Sequence, residues 1–102
     1  SSVVGESIGG GNLVITNING IEVEITGEYP TMIVDHTDEP GVVGSVTRVL
    51  GECSINIAFM RVFRKERGGK AYMVIETDDR VNTAVLSNVK DAHKAIEQVT
   101  MV

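Results

Sequence analysis

A chain of 102 residues with 42% hydrophobic content is long enough for one domain with a modest core and leaves no room for a second. A formal net charge of -5 and a pI near 4.9 exclude a nucleic-acid or anionic-membrane surface, both of which need clustered Lys and Arg. The single cysteine, Cys53, excludes an internal disulfide and any four-ligand zinc or Fe–S site; with no signal-peptide core and no apolar run of spanning length, a reducing, cytoplasmic location is expected.

Residues 1 to 11 are rich in Ser and Gly and are expected to carry no element of their own, as the severed end of a preceding domain would. The Gly9-Gly10-Gly11 run is not a phosphate loop, because no Gly-Lys-Ser/Thr follows and the next residues read as a strand. Leu13 to Ile15 and the alternating Ile21-Glu22-Val23-Glu24-Ile25 flank Asn19-Gly20, which predicts a hairpin closed by a type I′ turn. From Tyr29 the order becomes strand, helix, strand, strand, helix, strand. The strands are expected near 31–35, 55–64, 70–77 and 96–102, with Arg67-Gly68-Gly69 as the turn between the middle two.

The first helix is marked by Val42, Val43, Val46, Val49, Leu50 and Cys53, which fall along one stripe at 3.6-residue spacing. Cys53 on that stripe is expected to be a buried structural thiol. The second helix is expected near 82–92, with Val85, Leu86, Val89 and Ala92 inward. This βαββαβ order predicts an α+β, ferredoxin-like fold: an antiparallel sheet with both crossover helices on one face and the other face free to pair or bind. Residues 1–28 then form a linker and hairpin, and 29–102 the main domain.

The candidate site lies where the first strand of that domain meets its helix, at His36-Thr37-Asp38-Glu39-Pro40-Gly41. Asp38 is placed to accept from the free N–H groups of the helix head, and Pro40 to open the first turn, where its missing donor costs nothing. Open N–H groups and the positive dipole end near Val42 and Val43 suit a carboxylate, as in an amino acid. Asn56, at the next strand entry, can donate to a carboxylate and accept from an ammonium, so it fits a zwitterionic ligand. His36 is expected to border the pocket; His93, near the end of the second helix, is expected at the surface. Glu76, Asp78 and Asp79 lack the spacing of a calcium loop and read as a solvated turn, as do Arg61, Arg64, Lys65, Arg67 and Lys70, which Glu66 interrupts.

Asp38-Glu39-Pro40-Gly41 (D-x-P-G), the helix after it and the Ile55-Asn56-Ile57-Ala58 strand entry together resemble an ACT domain, the ligand-sensing module of many enzymes of amino-acid metabolism. Upstream, Gly5-Glu6-Ser7-Ile8-Gly9-Gly10-Gly11-Asn12 leading into Ile18-Asn19-Gly20 resembles the linker before this module in the β subunit of iron-sulfur L-serine dehydratases, which deaminate L-serine to pyruvate and ammonia. The resemblance covers residues 5 to about 92 and departs from the family pattern at Lys94-Ala95-Ile96, where many members have a Gly before the last strand.

The resemblance implies a regulatory module without catalytic residues, binding a small amino acid, L-serine first, through His36, Asp38, Gly41, Val42, Val43 and Asn56. A similar module of D-3-phosphoglycerate dehydrogenase places a His, a polar residue two positions on and an Asn around bound L-serine; this chain has Asp38 where that relative has Asn. The resemblance further implies a homodimer, a 4Fe-4S cluster in a partner α subunit with none in this chain, and a monovalent cation such as potassium on the carbonyls of the 36–41 loop. The apolar Ile33 and Val34 beside the site also suit pairing. Two alternatives remain open: a ligand-free assembly module, and the regulatory domain of another serine-pathway enzyme such as D-3-phosphoglycerate dehydrogenase. A nucleic-acid or metal-carrying ferredoxin-like domain is opposed by the acidic charge, 4% aromatic content and absence of C-x-x-C.

Overall fold

Turn chemistry and strand alternation divide the chain into two antiparallel sheets. A computed structural model describes residues 4–8 and 11–102. The first sheet has the order β1-β2-β3, with β1 Val4–Ile8, β2 Gly11–Ile18 and β3 Ile21–Ile25. The expectation that the first eleven residues lack an element is corrected: β1 pairs along its length with β2, from Val4 opposite Ile15 to Ile8 opposite Gly11. Of the triple glycine, Gly11 starts β2, and Gly9 and Gly10 lie outside the described residues, as do residues 1–3. The turn from β2 to β3 has Asn19 at φ 51° and Gly20 at φ 83°, the positive pair a type I′ turn requires.

The second sheet has the order β5-β6-β4-β7, with β4 Thr31–Thr37, β5 Ile57–Arg64, β6 Lys70–Thr77 and β7 Ile96–Met101. Helices α1 (Val42–Glu52) and α2 (Thr83–Lys90) complete the expected βαββαβ order. Asn82 begins α2 by accepting from the Val85 amide at 3.0 Å, which is why this helix starts where it does. On α1, Val42, Val46, Val49 and Leu50 are buried; Val43 and Cys53, expected on the same stripe, are respectively exposed and half-buried.

Strand alternation sends Met32, Val34, Met73 and Ile75 toward the helices, where they meet the α1 stripe and Val81, Val85 and Val89 of the α2 region. The opposite face, expected to be free to pair or bind, is in large part taken by the hairpin. Ile21 and Val23 of β3 pack on Tyr72 and Val74 of β6, with Ile18, Ile25, Ile33 and Phe63 around them. Each such side chain removed from water contributes about 1.5 to 3 kcal/mol before entropy is counted, enough to seat a hairpin. Polar bonds fix its position. The Asn19 amide donates to the Tyr72 hydroxyl at 2.8 Å, and the fully buried Glu76 carboxylate accepts from the backbone N–H and hydroxyl of Thr26. Glu76 is therefore no member of a solvated turn; it ties the end of the hairpin to the middle of the main sheet.

Candidate functional site

The corner between β4 and α1 is built by an overrun of β4. The strand continues two residues past its expected end, so His36 and Thr37 are strand residues and not part of a loop. Alternation from Met32 and Val34 turns the His36 ring to the helix side, where the residue is 1% exposed. Its Nδ1 lies 3.0 Å from the Thr37 carbonyl oxygen, which can only accept, so Nδ1 is the donor there and, in the neutral ring, Nε2 is the acceptor. That Nε2 is buried and has no hydrogen-bond partner among the described residues.

Backbone bonds from both sides hold the corner. The Thr37 amide donates to Ala95 at 3.0 Å and the Asp38 amide to Gly69 at 2.8 Å. The Asp38 carboxylate accepts from the Gly68 amide at 3.0 Å and from the Arg64 guanidinium, and these two bonds, the first foremost, hold its pKa below the ordinary carboxylate value. The expected capping role of Asp38 is thus corrected: its side chain is engaged by the β5–β6 turn. Gly41, with φ 90°, is the residue that caps α1, no side chain caps the helix, and Pro40 stands before the cap instead of within the first turn. An L side chain is strained at such a φ, which explains a glycine here. The head of α1, from Val42 to the exposed Val43, therefore keeps its uncapped N–H groups.

One residue at this corner escaped the sequence. A Cβ added to Gly41 would come within 3.8 Å of His93 Nε2, so a second imidazole stands beside the helix head, oriented by the Ala95 amide donating to its Nδ1 at 3.0 Å. Only the packing of the residues after α2 against the start of α1 brings it there, and no spacing in the sequence signals that.

Asn56 lies elsewhere. It precedes β5, is exposed, and donates to Asp78 at 2.5 Å while the Asp78 amide donates to its carbonyl at 3.1 Å. In the register of the sheet, His36 is opposite Ala71, whereas Ile57 is opposite Thr77. The six steps along β6 separate Asn56 from His36 by roughly 20 Å at about 3.3 Å per residue. His36 stands near the end of β4, and Gly41, Val42 and Val43 open α1 a few residues further along the chain; Asp38, between them, faces the β5–β6 turn, and Asn56 is at the far end of the sheet. No group of three or more His, Cys, Asp or Glu side chains among the described residues could hold a metal ion. No helix of the described residues is long and apolar enough to cross a membrane.

The βαββαβ order, with both helices packed on one face of an antiparallel sheet, defines the class as a ferredoxin-like α+β module. Residues 30–97 match the ACT domain family, and the chain belongs to it. It is 38% identical over 100 residues to a Bacillus subtilis protein named "Probable L-serine dehydratase, beta chain", covering 98% of this chain and 45% of that one. It is 31% identical to the L-serine dehydratase beta chain of Peptoniphilus asaccharolyticus, covering 85% of this chain and 39% of that one. It is also 40% identical over 78 residues to D-3-phosphoglycerate dehydrogenase of Methanocaldococcus jannaschii, which takes in 76% of this chain and 15% of the enzyme. The chain spans less than half the length of the relatives it matches.

Proposed function

We propose that this chain is the amino-acid-sensing module of an iron-sulfur L-serine dehydratase β subunit, with L-serine as its ligand at the β4–α1 corner. The observation that carries the reading is the buried His36 Nε2, without a partner among the described residues, on the strand that leads into a helix head no side chain caps. An amino acid supplies both complements: its carboxylate for the amides near Val42 and Val43, and an ammonium or hydroxyl donor for His36. His93 would border the pocket from the α2 side. Similarity to two L-serine dehydratase beta chains over most of this chain favours this parent enzyme over D-3-phosphoglycerate dehydrogenase.

Asn56 joins the site only through a second copy. β5 is an edge strand of eight residues carrying Phe59, Met60, Val62 and Phe63, and a Cβ on Gly44 or Gly51 of α1 would meet nothing within 4 Å. Antiparallel pairing of β5 with its copy about a two-fold axis reverses the strand direction, and so places Asn56 of the second copy at the end of the sheet that carries His36. The same edge also favours a second reading, in which the module assembles the enzyme and binds no ligand. The 4Fe-4S cluster does not fit this chain: one half-buried cysteine is no ligand set for it, so we place the cluster and the deamination chemistry in a partner α subunit.

Calorimetric titration with L-serine, glycine and L-alanine, with and without potassium, tests the reading, and light scattering tests the dimer. Serine binding that weakens about tenfold or more in both His36→Leu and Asn56→Ala supports a site shared between two copies. Loss in His36→Leu alone confines the site to one chain. A dimer that ignores all three amino acids favours the assembly reading.

A further inference from the structure

On the sheet face opposite His36, the three-stranded sheet reaches β5 and β6 but stops short of β7, and the margin leaves a cavity of about 310 Å³. Ile33 and Asp35 of β4, Tyr72 of β6, Gln98 and Thr100 of β7 and Asn19 of the hairpin turn line it. The register accounts for this set: Asp35 is directly opposite both Tyr72 and Gln98, and Ile33 opposite Thr100, so these side chains leave the sheet on one face. The volume sits at the lower end of the ~300 to 1,000 Å³ typical of small-molecule pockets.

One charge stands among the polar groups of the lining. Among the described lining residues, Asp35 is the one with a charged side chain. Its Oδ1 takes Lys70 Nζ at 2.6 Å, and the same ammonium reaches Glu97 at 3.1 Å, so the trio of two carboxylates and one ammonium keeps a net charge of -1. These two carboxylates hold the Lys70 pKa above its ordinary value, Asp35 contributing most. Lys70 leaves Oδ2 of Asp35 for another donor. The Asn19 amide nitrogen donates to the Tyr72 hydroxyl, and the side chains of Asn19, Gln98 and Thr100 each carry an oxygen able to accept. Beneath them, Ile33 and the Tyr72 ring form an apolar floor.

We propose that this cavity binds a small primary ammonium compound with a short apolar chain, the ammonium at Asp35 and the chain over Ile33 and Tyr72. The site is separate from the β4–α1 corner: Asp35 and His36 are neighbours in β4 but leave the sheet on opposite faces, so a ligand here does not compete with one at His36.

The test follows backbone amide shifts by NMR while the full 102-residue chain is titrated with butylammonium chloride, sodium butyrate and 1-butanol at constant ionic strength. Butylammonium is expected to saturate with a Kd of about 1 to 10 mM, shifting Ile33, Asp35, Tyr72, Gln98 and Thr100, while butyrate and butanol produce no saturable change there. Asp35→Asn should weaken the ammonium roughly tenfold through loss of the charge-assisted bond. Thr100 is exposed on an edge strand, so Thr100→Tyr blocks the mouth without touching the core and should abolish the shifts even if Asp35→Asn does not fold. Equal response to butyrate or butanol, unchanged binding in either variant, or no saturable shift with the ammonium overturns the proposal.

Discussion

On the helix side of the main sheet, Met32, Val34, Met73 and Ile75 meet Val46, Val49 and Leu50 in continuous apolar contact, whereas on the hairpin side Tyr72 and Val74 meet Ile21 and Val23 in a smaller patch held at its ends by hydrogen bonds. The same two strands, β4 and β6, serve both. Because successive side chains leave a strand on opposite faces, one step of sequence separates a core residue from a polar tie: Ile75 from Glu76, and His36 from Asp35. The helix side gains its stability from area and the hairpin side its position from a few directional bonds. Position without great area is what a segment able to move relative to the sheet would have.

The largest effects should come from the helix side. Leu50→Ala removes a fully buried side chain from a core closed on all sides and is expected to cost about 2 to 5 kcal/mol, read from the midpoint of urea unfolding. Ile21→Ala, on the hairpin side, should fall near or below ~2 kcal/mol, since a hairpin can shift to fill the space it leaves. Equal losses at the two positions would show that the two faces unfold as one unit of like packing.

Next is Glu76. Glu76→Ala leaves the Thr26 amide and hydroxyl without their acceptor, at about 1 to 3 kcal/mol. Hydrogen exchange should quicken in β3 and at Thr26 while α1 stays protected. Uniform acceleration across both layers would contradict the distinction between the two faces.

Much of the helix side was legible because its signals are periodic and local. The stripe from Val42 to Leu50, the alternation of β3 and the Asn19-Gly20 turn each act within a few residues. What escaped depends on partners far apart in sequence. Glu76 reads as the start of an acidic run until Thr26, 50 residues away, comes to it, and Asp38 reads as a helix cap until Gly68 and Arg64 offer better-placed donors. The D-x-P-G corner was legible as the passage from β4 into α1, but the place of Asn56 was not: β4 and β5 run parallel with β6 between them, so the end of one strand and the start of the other lie at opposite ends of the sheet, which puts Asn56 out of reach of that corner within one chain.

The Asp38 tie has a definite pH dependence. A carboxyl with its folded pKa depressed contributes stability that is present above the unfolded value of 3.8 and is lost as pH falls through the lower folded value. The Gly68 amide shift should therefore titrate with a midpoint below 3.8, and Arg64→Gln should move that midpoint upward without restoring it fully, because the Gly68 N–H remains. A midpoint at or above 3.8 in the wild type would mean that the tie is absent in solution.

The smallest effect separates area from charge on the hairpin side itself. Arg61 reaches from β5 to Glu24 of β3 at 3.4 Å and stacks over Phe63 with its guanidinium carbon 5.3 Å from the ring centre. Among the described residues it is the ion pair that joins hairpin to sheet across solvent, with 56% of the Arg61 side chain exposed. Exposed pairs contribute about 0 to 1 kcal/mol and are screened by salt, and an exposed cation over a ring adds about 0.5 to 1 kcal/mol. If apolar contact and the Glu76 bonds hold the hairpin, Arg61→Ala should cost about 1 kcal/mol or less, and hydrogen exchange in β3 should change little between low salt and 1 M NaCl. If instead Arg61→Ala or salt alone frees β3 to the degree that Glu76→Ala does, charge holds the hairpin, and the part assigned to Ile21, Val23 and Glu76 must be given up.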